Sequence, residues 1–166
     1  MIAKGLEPES NYLYRWPGLY VREGERIVEA PLADVAVARS YPQFNDKGGA
    51  IGGRRITILT ESSRHLVGDE VRVIHVVDFT EPGQRAYVMG PKPVYGEYVN
   101  GQLMTDPVPE GDPLVPMTYN GVTLPTPAVD YNFDITSYRF QEPGPWTIQW
   151  RLGPLHSNLL SITVAA

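Results

Sequence analysis

The sequence predicts an all-β protein, an antiparallel β-sandwich preceded by an extended N-terminal arm. Three observations carry that expectation. Short apolar runs alternate with polar residues at a period of two, the spacing of a strand with one buried face. The 16 glycines and 16 prolines of this 166-residue chain fall between those runs and not in a tail, as turns and strand stops do. No window of helical length carries an apolar stripe at i, i+3, i+4 and i+7. With 42% hydrophobic residues, the chain can build a core for one domain.

Residues 1–26 hold Tyr12, Tyr14, Trp16 and Tyr20 with little periodicity, and read as an arm that packs on the sandwich or on a partner. The sandwich proper spans 27–166. Residues 33–40 read as a strand, 48–55 as a tightly turned glycine-rich loop, and 55–60 as the next strand. The loop approaches a phosphate-binding pattern, but it lacks the Lys-Ser/Thr pair. A strand follows it where a helix would supply the anion-binding dipole. Val71, Val73, His75, Val77 and Phe79 alternate with Arg72, Ile74, Val76 and Asp78. Both faces are largely apolar, so this is a central, covered strand with His75 as a core histidine. Residues 80–84 form a turn that pairs 85–90 with that strand.

Asn100-Gly101 and Asn120-Gly121 each predict a type I′ hairpin, because both residues accept φ > 0. The arms are 95–99 with 102–105, and Tyr119 with 122–124. Between them lies the proline-rich loop 105–116, whose prolines cannot donate to a ladder. Tyr131, Phe133 and Ile135 share one parity while Tyr138 and Phe140 take the other, which predicts a bulge near Thr136-Ser137. Trp146, Ile148, Trp150 and Leu152, then Leu160, Ile162 and Val164, complete a C-terminal hairpin with its apolar faces on one side.

Residues 138–150, followed by Leu152-Gly153 and 157–164, resemble the end of immunoglobulin-like domains. There a strand enters a Gly-bearing turn, then an aromatic, an alternating strand, a hairpin and a final strand. In that family a tyrosine hydroxyl caps the corner; here Trp146 stands in its place, so an indole N–H takes that part. Ile148 stands two residues on, where antibody-type domains carry a cysteine. The resemblance implies a broad, non-antibody immunoglobulin-like sandwich, a fold used mostly for adhesion, binding and assembly. It carries over no catalytic residue.

The chemistry narrows further. A net charge of −5 without a basic stripe argues against a nucleic-acid partner; Arg54-Arg55, the densest basic spot, reads as a solvated strand end. The absence of cysteine removes disulfides, thiolate metal sites and cysteine nucleophiles. No apolar run approaches the ~18 residues of a membrane span, and no signal peptide is visible; the cytoplasm and export of a mature chain both stay open. Asp130-Tyr131-Asn132-Phe133-Asp134 opens like a calcium loop, but position six is Ile135 and position twelve Gln141, where glycine and glutamate belong. The plainer reading puts Asp130, Asn132 and Asp134 on a solvent face. No cofactor is expected, and calcium is the one alternative the pattern offers. His65, His75 and His156 share no ligand spacing, and His65 and His156 fall at solvated turns. No nucleophile elbow or Ser/His/Asp signature is present, so a non-enzymatic protein is expected.

Aromatic residues are the strongest lead, since Tyr and Trp combine large contact area with a polar handle. Tyr12, Tyr14, Trp16, Tyr95, Tyr98 and Tyr119 are the interface candidates. The first reading is a binding or assembly module, a structural or accessory subunit of a larger complex that uses its arm and proline-rich loop on a protein partner or on itself. The second is a carbohydrate-binding module with a tyrosine platform. The third is a metal-dependent protein or an enzyme.

Overall fold

The structure, a computed structural model, describes residues 15–116 and 118–166. Among the described residues it is all-β apart from one short helix and a 3-10 turn. Tyr12 and Tyr14 lie outside the described residues. The first described elements are a ribbon of β1 (Tyr20–Glu23) and β2 (Arg26–Glu29), followed by α1 (Leu32–Arg39) and a 3-10 turn at Tyr41–Gln43. No described helix is long and apolar enough to cross a membrane.

The first sheet is organised by β5 (Glu70–Phe79). It pairs with β3 (Arg54–Leu59) along one edge, and with β10 (Ala128–Asp130) and β11 (Thr136–Arg139) along the other. The second sheet runs β4 (Arg64–Leu66), β14 (Leu160–Ala165), β12 (Gly144–Leu152), β7 (Glu97–Val99), β8 (Gln102–Leu103). There β13 (Leu155–His156) folds back on the end of β12 before the chain enters β14. Among the named strands β4–β14 is the one parallel pair. A separate ribbon joins β6 (Arg85–Tyr87) to β9 (Thr123–Pro125).

The two faces of β5 build two cores. Val71, Val73, Val77 and Phe79 meet Ile148, Trp150, Leu152 and Ile162 of the second sheet in the main core. Ile74 and Val76, on the opposite face, pack with Leu19, Ala38, Tyr41 and Tyr131. This second core lies under α1 and the residues leading into the β1–β2 ribbon. The double burial expected for residues 71–79 is therefore present, and each face has its own cover.

Four expectations are corrected. Residues 33–40 form a helix, not a strand. Small apolar residues at every other position also satisfy a helix when they are alanines, which have the strongest helical preference. Asp34 and Ala38, four apart and both buried, mark the inward face, and Asp34 in the first turn with Arg39 in the last suits the helix dipole. Second, residues 85–87 do not pair with β5. Both edges of β5 are already occupied, so β6 takes β9 as its partner. Third, Asn120-Gly121 makes no hairpin; Gly121 stays out of the left-handed region, and β9 is claimed by β6.

Fourth, the phase change between 130 and 140 is not a bulge at Thr136-Ser137. Asp130 pairs with Val77 and Thr136 with Val73, so residues 131–135 carry two more residues than the facing stretch of β5. The strand breaks there, and the excess lets Tyr131 and Ile135 join the second core while Phe133 enters the main one.

Asn100-Gly101 is the expected tight turn between β7 and β8, with φ of 48° and 80°. Gly101→Val is expected to cost about 1–2 kcal/mol, because a branched side chain is strained at left-handed dihedrals. A urea melt showing no loss would contradict this origin of the turn.

Candidate functional site: an apolar groove beside the N-terminal ribbon

The segment from Arg15 onward is fastened to the body by Asn132 and by its own Leu19, Arg15 and Trp16. Asn132 is fully buried. Its Nδ2 donates to the carbonyls of Gly18 at 2.8 Å and Val88 at 2.7 Å, and its Oδ1 accepts from Tyr20 N at 2.8 Å. Leu19 inserts into the second core, and Arg15 Nη2 donates to the carbonyls of Pro125 and Pro127. Trp16 lies between the Tyr131 ring, 5.0 Å away, and the Arg39 guanidinium, 4.6 Å from its centroid.

This attachment leaves a groove of about 740 Å³ between the N-terminal segment and the β6–β9 ribbon. Trp16, Ile27, Val88, Met89, Val122 and Leu124 line it, with Arg15 as its charged wall. Ile27, Met89 and Val122 remain 52%, 48% and 56% exposed. Its size and apolar lining are those of a ligand or peptide site. Tyr119 shapes one wall from behind: its hydroxyl donates to the Val122 carbonyl and accepts from Met89 N at 3.1 Å. Tyr119 also meets Tyr87 edge-on, with rings at 82°, so these two do not present one flat surface.

Of the aromatic candidates, Trp16 and Tyr119 thus come together at the groove. Tyr95 and Tyr98 belong to the region of β7. Tyr95 packs against the main core, and its carbonyl accepts the Trp150 indole at 2.8 Å. Tyr98 lies under the Arg151 guanidinium at 4.4 Å. Arg15, Ile27, Met89 and Val122 went unmarked in the sequence. They are isolated residues from four distant segments, and no periodicity links them.

The calcium-like triplet is not a solvent face. Asp130 and Asn132 are buried and only Asp134 is exposed. The reason is the strand break, which turns both inward and finds each a partner. Asp130 pairs with Lys92 at 3.0 Å and accepts the Asn132 N–H at 2.9 Å. Burial holds the Asp130 carboxyl above its ordinary value, against the pull of Lys92. Among the described residues no group of three or more His, Cys, Asp or Glu side chains is placed to hold a metal ion.

Two buried polar networks lie away from the groove. On the outer side of β5, Asp78 accepts the Tyr41 hydroxyl at 2.6 Å and the Arg55 guanidinium at 2.7 Å. Arg54 pairs with Asp112 at 2.7 Å. The basic pair is therefore ion-paired and half-buried, where a solvated strand end was expected. Between the sheets, His75 Nε2 meets Glu97 Oε2 at 2.6 Å, with both side chains fully buried. Glu97 Oε1 accepts from Thr136 Oγ1 at 2.5 Å and Tyr138 OH at 2.6 Å. Burial pushes the Glu97 carboxyl up, but its attraction to His75 and these hydrogen bonds outweigh burial and hold it below the ordinary value. His75 also meets Trp150 edge-on at 4.9 Å. This network ties β5 to β7 across the main core and has no open path to a substrate. His156 is exposed, while His65 is half-buried with Nε2 2.7 Å from the Ser62 carbonyl.

The glycine-rich loop closes as a tight turn from Ile51 to Arg54, with Gly52 and Gly53 both left-handed, and leads directly into β3. No protein-family model, curated sequence or solved structure matches this chain.

Proposed function

We propose that this chain is a non-enzymatic binding and assembly module of immunoglobulin-like type, in which the groove beside the N-terminal ribbon takes an apolar segment of a partner subunit. The groove carries the reading: three large apolar side chains stand half in water around a cleft that the protein builds from four separated segments. Contiguous apolar surface of that kind marks interaction sites, and the flanking Trp16 is of the residue type that anchors interfaces. The immunoglobulin-like assignment is supported at the corner, where Trp146 Nε1 donates to the Glu142 carbonyl at 3.1 Å, as a corner tyrosine would.

The described part of the arm, residues 15–26, is committed to its own chain through Leu19 and Asn132. The proline-rich loop is partly committed too, with Leu114 in the main core. The partner surface is then the groove that the arm shapes, together with the exposed remainder of the loop.

The test is the mass of the native particle. The wild-type chain is expected in a particle larger than its own 18.5 kDa. Val122→Asp, which places a charge on a 56% exposed wall residue, is expected to release an 18.5 kDa monomer with an unchanged melting temperature. A wild-type particle of monomer mass, or assembly indifferent to Val122→Asp and to Met89→Asp, would sink the reading.

A further inference from the structure

Two dipeptides of identical sequence sit in opposite settings. In Asn-Gly the glycine leaves its backbone nitrogen unhindered, so that nitrogen can attack the asparagine side chain when the two are free to meet. Asn100 is held away from that geometry. Its Oδ1 accepts from Thr147 N at 2.8 Å and Thr147 Oγ1 at 3.3 Å, its own N–H donates to the Thr147 carbonyl at 2.8 Å, and its φ is fixed at 48°. Asn120 is exposed and outside any strand. Among the described residues, neither its side chain nor the Gly121 N–H has a hydrogen-bond partner. Gly121 is also closely packed: a Cβ there would meet Met89 Sδ at 2.5 Å and the Tyr119 ring at 3.0 Å.

We propose that Asn120 is a site of spontaneous deamidation that sets a carboxylate two residues before Val122 of the groove wall. The Gly121 nitrogen loses its proton to solvent base and forms a bond to Asn120 Cγ. The Cγ–Nδ2 bond breaks, and ammonia leaves after taking up a proton. Water then opens the cyclic imide. Attack at Cγ restores the backbone as aspartate; attack at the main-chain carbonyl gives isoaspartate, with the chain rerouted through Cβ and Cγ. One water is consumed and one ammonia released, with no change of oxidation state. The isoaspartate product adds a methylene to the backbone between Tyr119 and Val122, the stretch whose Tyr119–Val122 hydrogen bond shapes the groove wall. The site goes beyond the binding reading and does not depend on it.

The experiment incubates the full chain at mildly alkaline pH, folded and in urea, and follows both dipeptides by peptide mass mapping and isoaspartate-specific methylation. In the folded protein the Asn120 peptide is expected to convert. Asn100 is expected to lag by about tenfold or more, because its hydrogen bonds must open first. In urea the two rates are expected to converge. An Asn120 that persists would overturn the proposal. So would a folded Asn100 that converts equally fast, or an Asn100 that stays slow in urea, since the contrast would then lie outside the fold.

Discussion

Replacing Glu97 by alanine is expected to cost about 3 kcal/mol or more of folding stability, since one buried carboxylate serves three partners and each group left unsatisfied costs about 1–3 kcal/mol. The side chain is wholly enclosed and serves three partners on β5 and β11. Alanine strands all three: the His75 imidazole loses its partner at Nε2, and two hydroxyls lose their acceptor. Each orphaned group carries its own desolvation penalty. A urea melt should show a lower midpoint with an unchanged slope, since the surface exposed on unfolding hardly differs. A double variant, Glu97→Leu with His75→Phe, is expected to recover only the part of the loss owed to His75, because an apolar pair of similar volume removes that requirement while the Thr136 and Tyr138 hydroxyls still lack their acceptor. A single variant that melts as wild type would refute the role.

The same network sets an acid limit. Glu97 has a folded carboxyl value below its unfolded one. Its contribution is therefore fully present above the unfolded value of about 4.3 and lost as pH falls through the folded value. The acid limb of a stability profile should flatten in Glu97→Leu/His75→Phe. Asp130 works in the opposite sense: its folded value is raised, so it lowers stability once pH exceeds the unfolded value.

Asn132→Ala is expected to cost about 3 kcal/mol or more and to release the N-terminal ribbon. Three backbone groups, Tyr20 N–H and the carbonyls of Gly18 and Val88, lose their partner in a buried place, at about 1–3 kcal/mol for each group left unsatisfied. The effect is local as well as global. Hydrogen exchange over residues 15–30 should rise to near that of an open segment, protease should cut there first, and Trp16 fluorescence should shift red as it leaves Tyr131. Protection of β5 should persist. Unchanged exchange over residues 15–30 would show that Leu19 and Arg15 hold the segment without Asn132.

The parts of this architecture that could be read from the chain are those fixed by local rules. Both faces of residues 71–79 are apolar, so a covered strand follows from alternation alone. Asn100-Gly101 names its own turn, and Trp146 to Leu152 names its inward face. Local rules fail where the outcome depends on which edge is free. Residues 85–87 cannot show by themselves that β3, β10 and β11 have filled both edges of β5. The helix at Leu32–Arg39 has no local signature, because its alternating alanine and valine fit either period. Glu97 shares its parity with the buried Val99, which was the available sign that it points inward; its match to His75 is a contact between sheets that no spacing records. The groove was legible only through Trp16 and Tyr119, because its other walls are single residues brought together by tertiary packing.

The placement of β5 also has a consequence for how the chain is made. A ribosome delivers β3 and β5 early and together, but β10 and β11, which close the second edge of β5, come only with residues 128–139. In the interval β5 has one unpaired edge and one apolar face, that of Val71, Val73, Val77 and Phe79, awaiting the second sheet, a combination prone to pairing with another chain. Closure of the main core must wait longer still, for β12 and β14. The nascent chain is thus obliged to keep that core open until residues 144–165 have been made, and a chaperone that shields β5 over that interval should raise its yield.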